Sequence, residues 1–213
     1  NNNSNNYINI TPKDTKYMHL AINKDTSKHE WSSRYDIFDC KGTRVKDQCT
    51  YFAFTGLSYF FIQNNILCVK GRNKKGQLGI NQKIENISDC IKHDFFKENI
   101  DIQWITNSVR GFHCFVYTKK KQLYGFGRNY NDQIGLKTTN DNVYKPLLIE
   151  YNFGTSLNQI QTGWQHTLFL CENGNVYGCG LNNRGQLSSA YKESKNNSSI
   201  QKIINRQNIK SIK

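Results

Sequence analysis

A nine-residue stretch is written three times along this chain, and that repetition limits the fold more than any other feature. The copies are Gly71-Arg72-Asn73-Lys74-Lys75-Gly76-Gln77-Leu78-Gly79, Gly127-Arg128-Asn129-Tyr130-Asn131-Asp132-Gln133-Ile134-Gly135 and Gly180-Leu181-Asn182-Asn183-Arg184-Gly185-Gln186-Leu187-Ser188. Their first glycines stand 56 and then 53 positions apart. Repetition at roughly this interval points to one supersecondary unit used several times, as in a propeller or solenoid.

What precedes each copy also repeats. A short β-branched and aromatic run (Tyr59–Ile62, Cys114–Tyr117, Thr167–Leu170) is followed by a polar turn, then by a second run (Ile66–Val69, Gln122–Phe126, Asn175–Cys179) that enters the motif. The turns are Gln63-Asn64-Asn65, Lys119-Lys120-Lys121 and Glu172-Asn173-Gly174. Two such runs across a short turn predict a β-hairpin. Further apolar pieces at Ile84–Ile91, Leu147–Ile149 and Gln159–Thr162 can supply the remaining strands of a four-stranded unit. With only two prolines and no convincing amphipathic helix, the chain reads as all-β.

Each signature residue has a structural reason to be there. Gly71, Gly127 and Gly180 end a strand where the chain bends sharply or another backbone lies close. Asn73, Asn129 and Asn182 can close the turn on its own backbone. Gln77, Gln133 and Gln186 are expected to bond across to a neighbouring unit, and the Leu or Ile after each belongs to the core. His113 and His166 stand 14 positions before their repeat glycines. Their recurrence suits a scaffold hydrogen bond better than catalysis.

No Ser-His-Asp order, carboxylate pair or phosphate-cradling loop stands out, so no catalytic constellation is read and no cofactor is expected. Gly-x-Asn-x-x-Gly follows a hairpin with no helix after it, unlike a dinucleotide fingerprint. The seven cysteines show neither Cys-x-x-Cys nor zinc spacing. An odd count without a framework suits free thiols in a reducing compartment, which makes an intracellular setting, nuclear, cytoplasmic or mitochondrial, the expectation. No apolar run approaches the length of a membrane-spanning helix.

The fullest copy, His166-Thr167 through Val176-Tyr177-Gly178-Cys179-Gly180 into Asn182, Gly185, Gln186 and Leu187, resembles the repeat of the regulator of chromosome condensation family. So does Leu123-Tyr124-Gly125-Phe126-Gly127 in the second copy. The resemblance implies a β-propeller with four-stranded blades. The family's ring usually has seven blades, and this chain holds material for about four, so a partial ring or fragment is expected. On this reading 1–15 is a polar low-complexity arm and 16–213 are repeats. A degenerate repeat lies at about 17–48, clear ones at 49–80, 100–136 and 155–190, and the start of another at 199–213. Ser58 takes the place of the recurring histidine in the first clear copy, and Ser188 that of the last glycine.

The net charge of +13 favours an anionic partner, although the lysines are scattered and no long basic arm is present. Equivalent loops of a propeller fall on one face, so Arg72, Lys74, Lys75, Arg128 and Arg184 are expected to form a basic arc on one rim, with Lys119-Lys120-Lys121 on another. The resemblance implies two kinds of role: a protein-interaction platform, or guanine-nucleotide exchange on a Ran-type small GTPase with chromatin association. A third reading is nucleic-acid binding through the basic rim. Fold alone does not choose between them.

Overall fold

The paired runs around each turn do become strands, because β-branched and aromatic side chains pack well on a pleated surface while Asn, Gly and Lys suit the reversals. The computed structural model describes residues 7–10, 20–23, 49–55, 57–63, 66–96, 102–106, 111–188, 196–204 and 209–212. It divides into two compact units, Asn1–Phe52 with Phe61–Asn65, and Ala53–Phe60 with Ile66–Lys213.

Among the described residues every regular element is a strand. In the smaller unit β1 (Tyr7–Ile10) pairs antiparallel with β2 (Leu20–Asn23). Part of the stretch expected to be a polar arm is therefore a strand. Tyr7, Ile8 and Ile10 give it an apolar character that the asparagines around them conceal in the composition. Most of the degenerate repeat expected at 17–48 lies outside the described residues.

Three four-stranded antiparallel sheets follow. The first is ordered β3 (Cys49–Thr55), β4 (Ser58–Gln63), β5 (Ile66–Arg72), β6 (Asn86–Lys92). The second is β7 (Ile102–Ile105), β8 (His113–Thr118), β9 (Leu123–Arg128), β10 (Asn142–Leu148). The third is β11 (Leu157–Thr162), β12 (His166–Cys171), β13 (Val176–Leu181), β14 (Asn196–Ile204). Each is a propeller blade: two central strands from the predicted hairpin and two outer strands from the segments between hairpins.

The strand β14 corrects the reading of the tail. Residues 199–204 do not open a further unit but pair with β13, with Val176 opposite Ile204 and Tyr177 opposite Lys202. The third hairpin needs an outer strand as the others need β6 and β10, and 196–204 is the segment that reaches it. Ile212 then caps β11, donating its N–H to Gln159 Oε1 at 2.9 Å while its carbonyl accepts from Gln159 Nε2 at 3.1 Å.

The core lies within and between the blades. Phe60, Phe115, Phe126, Phe169, Leu67, Leu78, Ile134 and Leu170 are fully buried, each worth roughly 1.5–3 kcal/mol of transfer free energy. Phe115 meets Phe169 edge-to-face at 5.4 Å between centroids, joining the second blade to the third. Phe60 meets Phe126 at 6.1 Å.

Candidate functional site

The repeated loops are the joints between blades. In the first, Asn73 Oδ1 accepts the N–H of Leu78 at 3.0 Å, and Asn73 Nδ2 donates to the Gln82 carbonyl at 2.8 Å. In the second, Asn129 Oδ1 accepts from Ile134 N at 3.0 Å, while its Nδ2 donates to the Leu136 carbonyl at 2.7 Å and to Thr138 Oγ1 at 2.9 Å. In the third, Asn182 holds Leu187 N at 2.9 Å and the Ser188 carbonyl at 3.1 Å. One buried amide thus fixes both arms of each loop. Replacing Asn129 by Ala removes three such bonds and leaves buried groups unpaired, at a cost of about 2–4 kcal/mol. A urea midpoint for Asn129→Ala within 0.5 kcal/mol of wild type (about the scatter of surface substitutions) would refute this role.

The glutamines depart from expectation. They do not cross to a neighbouring blade. Gln77 Oε1 accepts the N–H of Lys75 at 2.7 Å, Gln133 Oε1 that of Asn131 at 2.9 Å, and Gln186 Oε1 that of Arg184 at 2.8 Å. The side chain is long enough to fold back over its own turn, and a donor two residues away is the nearest one. The link between blades comes instead from the backbone carbonyl of Gln133, which accepts from Thr167 Oγ1 at 2.7 Å and from Cys179 Sγ at 3.3 Å.

His113 and His166 sit directly opposite Gly127 and Gly180 across their hairpins. His113 Nε2 lies 2.8 Å from Thr167 Oγ1, so the histidine, the hydroxyl and the Gln133 carbonyl form a buried chain from the second blade to the third. Burial, with help from the nearby His166 and Arg128, pushes the pKa of His113 down to about 3. Burial also lowers that of His166. A neutral imidazole locked to a scaffold hydroxyl suits a joint rather than a proton shuttle. Ser58, in the equivalent place, donates to the Arg72 carbonyl at 2.6 Å within its own blade.

One buried group escaped the sequence reading. His93, after β6, is fully buried against Phe96, and desolvation lowers its pKa to about 4. It has no counterpart in the other repeats to draw attention to it. Cys114 and Cys179 are buried free thiols, and desolvation raises the Cys114 pKa to about 12. Among the described residues no group of three or more His, Cys, Asp or Glu side chains is placed to hold a metal, and no helix is long and apolar enough to cross a membrane.

Arg72 and Arg128 are the last residues of β5 and β9, while Lys74 and Lys75 lie in the β5–β6 loop and Arg184 in the β13–β14 loop, all toward the same end of each blade. Arg72, Lys74 and Arg184 are exposed, and Lys75 and Arg128 half-buried. Lys74 Nζ forms an ion pair with Glu85 at 3.1 Å. Both side chains are well exposed, so the pair contributes under about 1 kcal/mol. The β8–β9 turn with Lys119, Lys120 and Lys121 lies at the opposite end. Two exposed aromatic residues lie toward the same end: Tyr130, in the second loop, and Trp164, in the β11–β12 turn, each 61% exposed. The bond from Leu181 N to the Gln165 carbonyl at 2.8 Å keeps the Trp164 turn at that end. Sequence inspection passed over both, because neither stands at a position where the repeats agree.

The sequence profile of the regulator of chromosome condensation (RCC1) repeat matches residues 121–170, and a second profile of the same repeat matches 158–186. The chain is 37% identical over 121 residues to the secretion-regulating guanine nucleotide exchange factor of Bos taurus, covering 55% of this chain and 24% of that protein. It is 32% identical over 146 residues to the probable E3 ubiquitin-protein ligase HERC4 of Homo sapiens, covering 67% and 13%. It therefore spans about a quarter or less of these curated relatives. Among solved structures, Prp20p of Saccharomyces cerevisiae superposes with a TM-score of 0.63 at 17% identity, over 90% of this chain and 50% of that one. Human WBSCR16 superposes with a TM-score of 0.63 at 16% identity, over 88% and 48%. Repeat signature, four-stranded blades and these matches agree: the chain is a β-propeller of the regulator of chromosome condensation repeat family.

Proposed function

We propose that the propeller is a non-catalytic platform for protein partners and that the rim bearing the repeated loops is its contact surface. One observation carries this reading: Arg72 and Arg128, which end β5 and β9, and Arg184, in the β13–β14 loop, stand at the end of the blades that also exposes Tyr130 and Trp164. Arg, Tyr and Trp dominate the energetics of protein interfaces, where an aromatic body gives contact area and a guanidinium gives paired hydrogen bonds. Excess positive charge on the chain speeds encounter with an acidic partner. Charge reversal at Arg72, Arg128 and Arg184 together is expected to abolish capture of partners that the wild-type protein retains, identified by mass spectrometry. Reversal at Lys119, Lys120 and Lys121 is expected to leave capture intact. Equal capture by both triple variants would sink the assignment.

The bovine relative is named a guanine nucleotide exchange factor, and Prp20p is described with binding properties to Gsp1p and histones. These names favour a second reading, exchange on a Ran-type GTPase with chromatin contact. Release of a fluorescent guanine nucleotide by the full-length protein distinguishes the two: acceleration by orders of magnitude supports exchange, and no acceleration supports the platform alone. Nucleic-acid binding, the third reading, would show affinity falling steeply with salt. A reducing, intracellular compartment accords with the free buried thiols.

A further inference from the structure

The β5–β6 loop just after the first repeated stretch, the β9–β10 loop and the outer strand of the second blade line an open cleft of about 470 Å³, within the range of small-ligand sites. Lys83 and Asn81 line it from the β5–β6 loop, Thr139 and Asn140 from the β9–β10 loop, and Tyr144 and Lys145 from β10. No carboxylate lines it. Its two cations stand 62 positions apart in sequence and come together only because adjacent blades pack.

The cleft is held open by the joint itself. Asn81 N donates to the Tyr144 carbonyl at 2.6 Å, and Tyr144 Oη donates to the Lys74 carbonyl at 3.1 Å. On the other wall Thr138 Oγ1 receives Asn129 Nδ2 and donates to the Asn140 carbonyl at 2.7 Å. Walls fixed in this way need little ordering when a ligand enters, which is where much of the cost of binding lies. Glu85, the acidic residue nearest Lys83 in sequence, is held by Lys74.

We propose that this cleft binds a short acidic segment of a partner protein, with carboxylates received by Lys83 and Lys145 and the backbone steadied by Asn140 and the Thr139 hydroxyl. The inference rests on the reading of the propeller as a protein platform and gives that reading a second, chemically defined contact. Lysine ammoniums act as point charges that accept single carboxylates, and the cleft has no arginine fork for bidentate phosphate recognition. It also has no free aromatic face for a base to stack on: Tyr144 is half-buried, with the Lys83 ammonium 6.0 Å from its ring centre. Both features favour an acidic peptide over single-stranded nucleic acid.

The test is fluorescence anisotropy on the full chain, with a labelled twelve-residue peptide of alternating Glu and Ala and, separately, labelled oligothymidine. Lys83→Glu/Lys145→Glu is expected to weaken peptide binding at least tenfold, and Lys120→Glu/Lys121→Glu, the same charge change at the opposite rim, less than twofold. Thermal melts establish that both variants are folded. Equal loss in both variants would mean that net charge alone is read, and would overturn the site. Peptide binding that survives in the cleft variant but disappears on reversal of Arg72, Arg128 and Arg184 would overturn the cleft while leaving the platform standing. No peptide binding by wild type, or tighter binding of oligothymidine that depends on Lys83 and Lys145, would likewise overturn it.

Discussion

Gly127→Val is expected to abolish the folded propeller, or to lower its stability by more than about 4 kcal/mol, a large share of what a domain possesses. Gly127 has φ of 101°, a conformation open to glycine and hardly to any residue with a Cβ. A Cβ there would overlap the Phe112 carbonyl oxygen and lie 2.7 Å from His113 Cα, both backbone atoms that cannot swing aside. The same strand edge carries the Arg128 N–H bond to the Phe112 carbonyl at 2.7 Å, so relief of the clash would break the hairpin. Gly154 is the control. It also has positive φ, 75°, but nothing lies within 4 Å of an added Cβ, so Gly154→Ala should cost only about 1 kcal/mol of backbone strain. Denaturant unfolding of the two variants separates clash from strain. A Gly127→Val protein within 1 kcal/mol of wild type (the cost of strain alone) would show that the close approach is not needed.

Acid is expected to unfold the protein well before its carboxylates titrate. His113 and His93 have folded pKa values of about 3 and about 4 against an ordinary value of 6.5. The unfolded chain therefore takes up their protons first. Stability is full above pH 6.5 and falls as pH drops toward the folded values, because each proton withheld favours the unfolded state. Between pH 6.5 and 4.5 the loss amounts to about 2–3 kcal/mol for each histidine. His166, half-buried and also lowered, adds in the same direction. Urea midpoints taken across this range should fall steeply for wild type. They should fall less steeply for His93→Phe, which keeps the ring contact with Phe96 but has nothing to protonate. Parallel pH profiles for the two proteins would rule out His93 as a source of the acid sensitivity.

The joints explain why one loop is repeated so closely while the surface around it drifts. A Cβ on Gly79 would press on the Phe126 ring at 2.9 Å, and one on Gly135 would meet Ile200 at 2.5 Å. Both glycines face the next blade. In the third loop the equivalent residue is Ser188. There Gln186 is half-exposed where Gln77 and Gln133 are fully buried, since among the described residues no further blade covers that loop.

The loops, the central hairpins and the all-β character were legible in the residues because they depend on local chemistry. A β-branched run, a polar turn and an Asn that closes its own loop obey rules spanning a few positions, and repetition distinguishes them from chance. The partners across blades were not legible. That His113 meets Thr167, that the Gln133 carbonyl rather than its side chain makes the crossing, and that 196–204 completes the third blade all depend on which segment lies alongside another once the blades stack. The same holds for Lys83 and Lys145, two unremarkable lysines in sequence. Local pattern determined what each blade is, and only packing between distant segments decided what the blades hold between them.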